Sequence, residues 1–489
     1  MSTRQPSLWR TRLILASCLL GAGGGGGCSC KQETLPPVVF EEGDRQSVDP
    51  TRVLAPPWQA PAISQLDNGA LLYWLHEPDN PAFHLRLLLP TTIHGDKLDA
   101  AGTAVALTAL EQRLQARLRR ISDSSLDLRS RPGRVEVAVH GRDRDAEALI
   151  AAVADSLADA GNPKLLAMAQ GKVVAGQGRT QPEVLATAGL VSRLLDQPLE
   201  QEFTDEQQVA ALSKGRLEKA WSLLTDPRDA VVLIHSGREP GQESAALAAA
   251  RMGVRWKAPI GIGSGQPTIT ERLRHNIHER RKPLTTRLLT EQEPAAMLLL
   301  PNPNPGHGGE RGEVVLGRLI ATPTAEDRTM ARLCQRILQE ELDARLIHAG
   351  PVSLFAVRVR ISGDDPVASL AYAIDRMRAY AGETQPRNRI EQAATLWLGA
   401  RMVEASLNGE DWTSLWSDSI DLAGEDREIF SALAQEAQSM LEVDPEALQA
   451  YFGRWFDPKA GEPGWTWVAA GVDDALAASL GQRIELVRP

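Results

Sequence analysis

The chain has 489 residues, a formal charge of −10, 43% hydrophobic and 24% charged residues, and four cysteines. Hydrophobic and charged fractions at the globular average exclude wholesale disorder, the acidic balance argues against nucleic acid, whose phosphates need a basic face, and so few cysteines exclude a disulfide scaffold. At roughly 150 residues per domain, the length predicts about three domains.

Arg4, Arg10 and Arg12 make a positive leader, and Leu13 to Ala22 make an apolar run of signal-peptide length, short of the ~20 residues of a spanning helix. The run ends in Gly23 to Gly27 and then Cys28-Ser29-Cys30. A cysteine after small residues and an apolar run resembles a bacterial lipoprotein signal, which makes Cys28 the expected lipidated N-terminus and residues 1–27 the expected signal peptide. Cleavage there removes three arginines and no acid, taking the charge from −10 to −13. Serine rather than aspartate at position 29 points to the outer membrane, facing the periplasm. Residues 28–60, with Pro36, Pro37, Pro50, Pro56 and Pro57 and no hydrophobic period, read as an extended tether.

The remainder reads as two related halves, 61–256 and 286–489, joined by a linker at 257–285 that carries Pro259, Gly261, Gly263, Gly265 and Pro267. In the first half an alternating segment, Phe83 to Leu89, predicts a strand, and leucines three and four apart predict a helix from Ala100 to Arg119. A second period-two strand runs from Arg134 to His140 before Gly141, and a helix starts behind Asp143. Further helices end at Asp226-Pro227, followed by a strand from Ala230 to His235 and a helix from Glu243 to Met252. The second half repeats this order. It has a strand at Val314 to Ile320, a helix from Ala325 to Ile347, a strand at Phe355 to Ile361, the stop at Asp457-Pro458, a strand at Trp465 to Ala470 and a closing helix from Asp473 to Leu480.

Direct sequence matches support the duplication. Leu110 to Leu118 recurs as Leu338 to Leu346, 228 positions on; Leu217 to Pro227 recurs as Leu448 to Pro458, 231 on; and the strand stopped by Gly141 matches the strand stopped by Gly363, 222 on. The expected fold is α+β, with two tandem homologous halves, each a mixed sheet covered by helices, facing each other as a clamshell.

Leu66-Asp-Asn-Gly69, Asp99-Ala-Ala-Gly102 before the long helix, Ala344-Arg345-Leu346 and the closing unit from Asp457-Pro458 to Gly471 resemble motifs of the insulinase/pitrilysin-type metallopeptidases, including processing-peptidase-like proteins. The resemblance covers roughly residues 60 to 487. It implies a zinc motif, His-x-x-Glu-His, on the first long helix, where two imidazoles hold the metal and the glutamate activates water. Counting from Gly102, the equivalent positions are Val105, Thr108 and Ala109, and His-x-x-Glu-His occurs nowhere in the chain. The arginine and tyrosine that the family places after its Ser-Arg-Leu are also missing from Ile347 to Phe355. Neither catalytic residues nor metal ligands are therefore assigned, and no cofactor is expected.

Other candidates have plainer readings. His275 and His278, three apart, sit among arginines that repel a cation and read as a solvated linker helix. Gly261 to Gly265 lacks the Lys-Ser/Thr end of a phosphate loop, and Ser264 lacks a placed histidine partner. Pro301 to Gly312, which contains His307, reads as a connecting loop. Trp397, Trp412 and Trp416 read as core or seam aromatics and Cys334 as a buried apolar residue.

These readings point to a catalytically silent envelope lipoprotein. It would serve as the non-catalytic subunit or scaffold of a peptidase complex beside an active homologue, or as a clamp for extended peptides. The alternatives are an active zinc endopeptidase with a relocated site at His275, His278 or His307, and a purely structural lipoprotein.

Overall fold

Strand alternation and turn chemistry build the first half around one six-stranded sheet. The computed structural model describes residues 61–257 and 297–487, apart from short loops and the stretches 195–205, 301–311, 409–412, 414–416, 418–438 and 473–485. Strands β1 (Ala62–Gln65) and β2 (Leu71–His76) form a hairpin. It turns at Gly69, whose φ of 94° favours glycine. There follow β3 (Ala82–Pro90), the short pair β4 (Thr92–Ile93) and β5 (Asp96–Lys97), helix α1 (Ala100–Leu118), β6 (Ser125–Arg131) and β7 (Arg134–Arg142). Helices α2 (Ala146–Ala158), α3 (Pro163–Gln177), α4 (Pro182–Leu194), α5 (Glu206–Ala210) and α6 (Lys214–Leu224) precede β8 (Val231–Ser236) and α7 (Glu243–Arg255).

The first sheet has the order β1-β2-β8-β3-β7-β6. Only the β2–β8 pair is parallel. Side chains alternate between the faces of a strand, so Phe83, Leu85, Leu87 and Leu89 of β3 join Val135, Val137 and Val139 of β7 in a core beneath the helices. Val105, Ala106, Ala109, Leu110 and Leu114 of α1 fill that core. Ser213 caps α6 by accepting from the Arg216 amide, and Asp226 caps the short turn at Pro227 by accepting from the Arg228 amide.

The second half contains β9 (Met297–Leu300), β10 (Gly312–Ala321), α8 (Ala325–Leu338), β11 (Asp343–Ala349), β12 (Val352–Ile361), α9 (Pro366–Gly382), α10 (Arg387–Asn408), α11 (Pro445–Trp455), β13 (Thr466–Ala470) and β14 (Leu486–Val487). Its sheet order, β11-β12-β10-β13-β9-β14, reads as the first sheet in reverse, with β9, β10, β11, β12 and β13 taking the places of β2, β3, β6, β7 and β8. The fold is the expected α+β one: two mixed sheets, each covered by helices.

One expected element is corrected. The helix from Ala325 ends at Leu338, and residues 343–349 form edge strand β11, paired with β12 from Asp343↔Arg358 to Ala349↔Val352. Leu338, Leu342 and Leu346 imitate a helical stripe, but the backbone turns at Glu340 and Glu341, and Ala344 and Leu346 then alternate into the core as strand residues. The sequence match of Leu110–Leu118 with Leu338–Leu346 thus aligns helix with strand and is not a structural equivalence. Strand β7 also continues past Gly141 to Arg142.

The halves cover each other reciprocally. Helix α4 of the first half lays Leu185, Leu190, Val191 and Leu194 on Leu300, Val315, Leu319, Leu354, Ala356 and Val468 of the second sheet, on the face opposite its own helices. In return, Thr413 and Ser417 of the second half reach the equivalent face of the first sheet.

Candidate functional site

The face of the first sheet turned away from its helices carries the polar residues that the strand alternation excludes from the core. Register places them in rows. His84 of β3 pairs with His235 of β8 on one side and His140 of β7 on the other; two residues along, Arg86 lies between Leu233 and Ala138; two further, Leu88 lies between Val231 and Glu136.

Arg86, Glu136 and Arg134 form a buried ion cluster. Arg86 Nη1 donates to Glu136 Oε2 at 3.0 Å and Arg134 Nε to Glu136 Oε1 at 2.8 Å. Arg86 and Glu136 are only 2% and 1% exposed, so the pair has lost its hydration and depends on protein groups to replace it. The second half supplies some of them. Arg86 Nε donates to Thr413 Oγ1 at 3.3 Å, Arg134 Nη1 to the Ser417 carbonyl at 2.8 Å, and Ser417 Oγ to Glu136 Oε1 at 3.1 Å. Thr413 and Ser417 are both fully buried.

The histidine row lies beside this cluster. The Nδ1 atoms of His84 and His140 share a hydrogen bond at 2.8 Å, and the rings of His84 and His235 stack with centroids 5.9 Å apart. His235 Nε2 donates to the exposed Glu77 carboxylate at 2.7 Å. Burial holds the His84 pKa down to about 3, helped by His140, His235 and Arg86, so its imidazole is neutral in neutral solution. At the same end, Asp143 accepts from Ser236 Oγ, the Gly237 amide and Arg238 Nε, fixing the exit of β8.

The covered face of the second sheet is mostly apolar. Gly189 of α4 and Gly317 of β10 let helix and sheet approach: a Cβ on Gly317 would lie 2.5 Å from the Phe355 carbonyl oxygen and 2.7 Å from Leu190 Cδ2. At the α4 N-terminus Glu183 pairs with Arg345 at 3.1 Å and also with Arg358, both of which reach Asp343. The Ala344-Arg345-Leu346 motif therefore sits on an edge strand tied to the first half.

Of the zinc-equivalent positions, Val105 and Ala109 are fully buried in the first core and Thr108 is half-buried on the same helix. Two aliphatic side chains in a dry core and one hydroxyl do not fit a zinc ion, which takes imidazole, thiolate or carboxylate donors. Among the described residues no group of three or more His, Cys, Asp and Glu side chains is arranged to hold a metal ion, and no helix is long and apolar enough to cross a membrane. Cys28, Ser264, His275, His278, His307, Trp412, Trp416 and the helix expected from Asp473 lie outside the described residues. Trp397 packs against the second core with Arg332 over its ring, and Cys334 is buried there.

The histidine row and the Arg86–Glu136–Arg134 cluster were not singled out from the sequence. The available signal was parity: each polar residue occupies the phase of its strand opposite to the core valines and leucines.

No protein-family model matches the sequence, and no curated protein does. Solved structures do match. A protease from Helicobacter pylori is 12% identical with a TM-score of 0.64, over 83% of this chain and 98% of that one. The peptidase M16 inactive domain from Pseudomonas fluorescens is 11% identical with a TM-score of 0.62, over 84% and 98%. The periplasmic protease PqqL from Escherichia coli is 10% identical with a TM-score of 0.55, over 84% of this chain and 46% of that one. At such identities the likeness is one of fold, and the chain has the two-half fold of the M16-like, insulinase/pitrilysin-type peptidases.

Proposed function

We propose that this protein is a catalytically silent M16-like clamp for extended peptides. It would be anchored to the envelope through Cys28 and act beside a catalytically active homologue as its non-catalytic partner. The observation that carries the reading is the burial of Val105 and Ala109 in the first core, where the family's motif requires metal-binding side chains. The inactive domain among the fold neighbours supports a non-catalytic role for this architecture. Strands β6 and β11 stand at the sheet edges, and an edge strand holds an extended peptide through backbone hydrogen bonds without a metal.

The test uses purified mature protein and labelled unstructured peptides. Saturable binding is expected without cleavage, whether or not zinc is added. Chelator-sensitive cleavage with stoichiometric zinc would instead establish the relocated hydrolase at His275, His278 or His307. Absence of saturable binding would leave a structural lipoprotein. Membrane fractionation of wild type and Cys28→Ala tests the anchor, with release of the variant expected.

A further inference from the structure

We propose that Glu183, Arg358, Asp343 and Arg345 form a salt-sensitive clasp between the halves: its release lifts the N-terminal end of α4 from the edge of the second sheet, while the apolar remainder of α4 stays in place as a hinge. The clasp stands whether or not the protein binds peptides.

Strand parity places the charges. Ala344 and Leu346 of β11 and Val357 and Val359 of β12 point into the second core, so Asp343, Arg345 and Arg358 stand on the opposite face, the one that α4 covers. There they close a ring with Glu183. Arg345 Nη2 meets Glu183 at 3.1 Å and Arg345 Nε meets Asp343 at 3.2 Å, and Arg358 bridges the same two carboxylates. Two acids and two guanidinium groups leave the ring neutral, and Glu183 is the member that the first half contributes. Glu313 and Arg360 flank it as a separate pair at 3.4 Å.

The two ends of α4 are held by different forces. Through Glu183 its first turn is tied to β11 and β12, at the sheet edge. By Gly189 the helix has crossed to other strands: a Cβ there would lie 2.7 Å from Leu300 Cδ1 of β9 and 3.0 Å from Val468 Cγ1 of β13. Leu190, Val191 and Leu194 continue this close contact as buried apolar residues, and such contact is not screened by ions. The ring is open to water. The side chains of Arg345 and Glu183 are 49% and 25% exposed, and neighbouring Val184 is 53% exposed. Partly exposed ion pairs hold weakly and yield to salt. The end that opens is therefore the one at β11. A helical turn stripped of its packing is marginal in water, so the freed turn unravels. Its release also bares Leu185, which keeps the open form a minor population of the kind that hydrogen exchange detects.

Hydrogen exchange of the full mature protein tests the clasp. Raising sodium chloride from about 0.01 M to about 1 M shortens the screening length from about 30 Å to about 3 Å. Protection of Ala186 to Ala188 is then expected to fall about fivefold, while Val191 to Leu194 hold theirs. Glu183→Gln removes the charge and keeps the shape. It is expected to show the same loss already at low salt and to respond no further when salt is added. Wild-type protection that ignores salt, a salt response that persists in Glu183→Gln, or an equal loss along the whole of α4 overturns the clasp.

Discussion

Glu136 accepts from two arginines and from Ser417 on a face it shares with the second half. Its removal leaves two guanidinium groups facing each other in a dry interface. Glu136→Ala is expected to cost about 3–5 kcal/mol in urea unfolding, the range for breaking one partner of a buried pair. His84 sets a different dependence. Its folded pKa, about 3, lies below the ordinary histidine value of 6.5. The associated stability is thus full above pH 6.5 and is lost as pH falls toward 3, with a limiting slope of about 1.4 kcal/mol per unit. The difference in urea midpoint between wild type and His84→Gln is expected to shrink or reverse from pH 7 to pH 4.5, which isolates this group from the carboxylates. These residues were hard to find in the sequence because positions 84, 140 and 235 meet only through the register of three strands. Nothing local to any of them marks the meeting.

Elements were more legible where one period dominates. Strands β3, β7 and β10 and helix α1 follow from alternation and from leucine spacing, since each buries one face against one partner. The stretch after Leu338 is ambiguous in sequence because leucines four apart satisfy a helical stripe while Ala344 and Leu346 equally satisfy strand alternation. Pairing with β12, a long-range contact, decides between them. Glycine substitutions test the element contacts. Gly317→Ala drives a methyl group into the Phe355 carbonyl and Leu190 and is expected to lower stability by about 1–3 kcal/mol, as overpacking does. Gly171→Ala, within α3 and with nothing within 4 Å of the added carbon, is expected to raise it by about 0.5–1 kcal/mol. Thermal unfolding of the two variants side by side checks both signs.

At the scale of the molecule, the duplication was visible as repeated order, and the matching order of the two sheets bears it out. What the sequence concealed is the exchange of cover: α4 packs on the second sheet, and Thr413 and Ser417 reach the first. Hydrophobic patterning shows that a helix has an apolar face without showing which sheet receives it. Fragments spanning 61–256 and 286–489, expressed apart, are each expected to expose an apolar or ionic sheet face and to self-associate. Mixing them is expected to restore one species of the intact size, measured by light scattering. The exchange also orders the birth of the protein. Arg86 is separated from Thr413 by 327 positions, so a chain emerging from its N-terminus completes the first sheet long before the residues that shield it exist. The nascent first half must travel with that face bare, a substrate for whatever chaperone accompanies the chain, until Thr413 and Ser417 have been made.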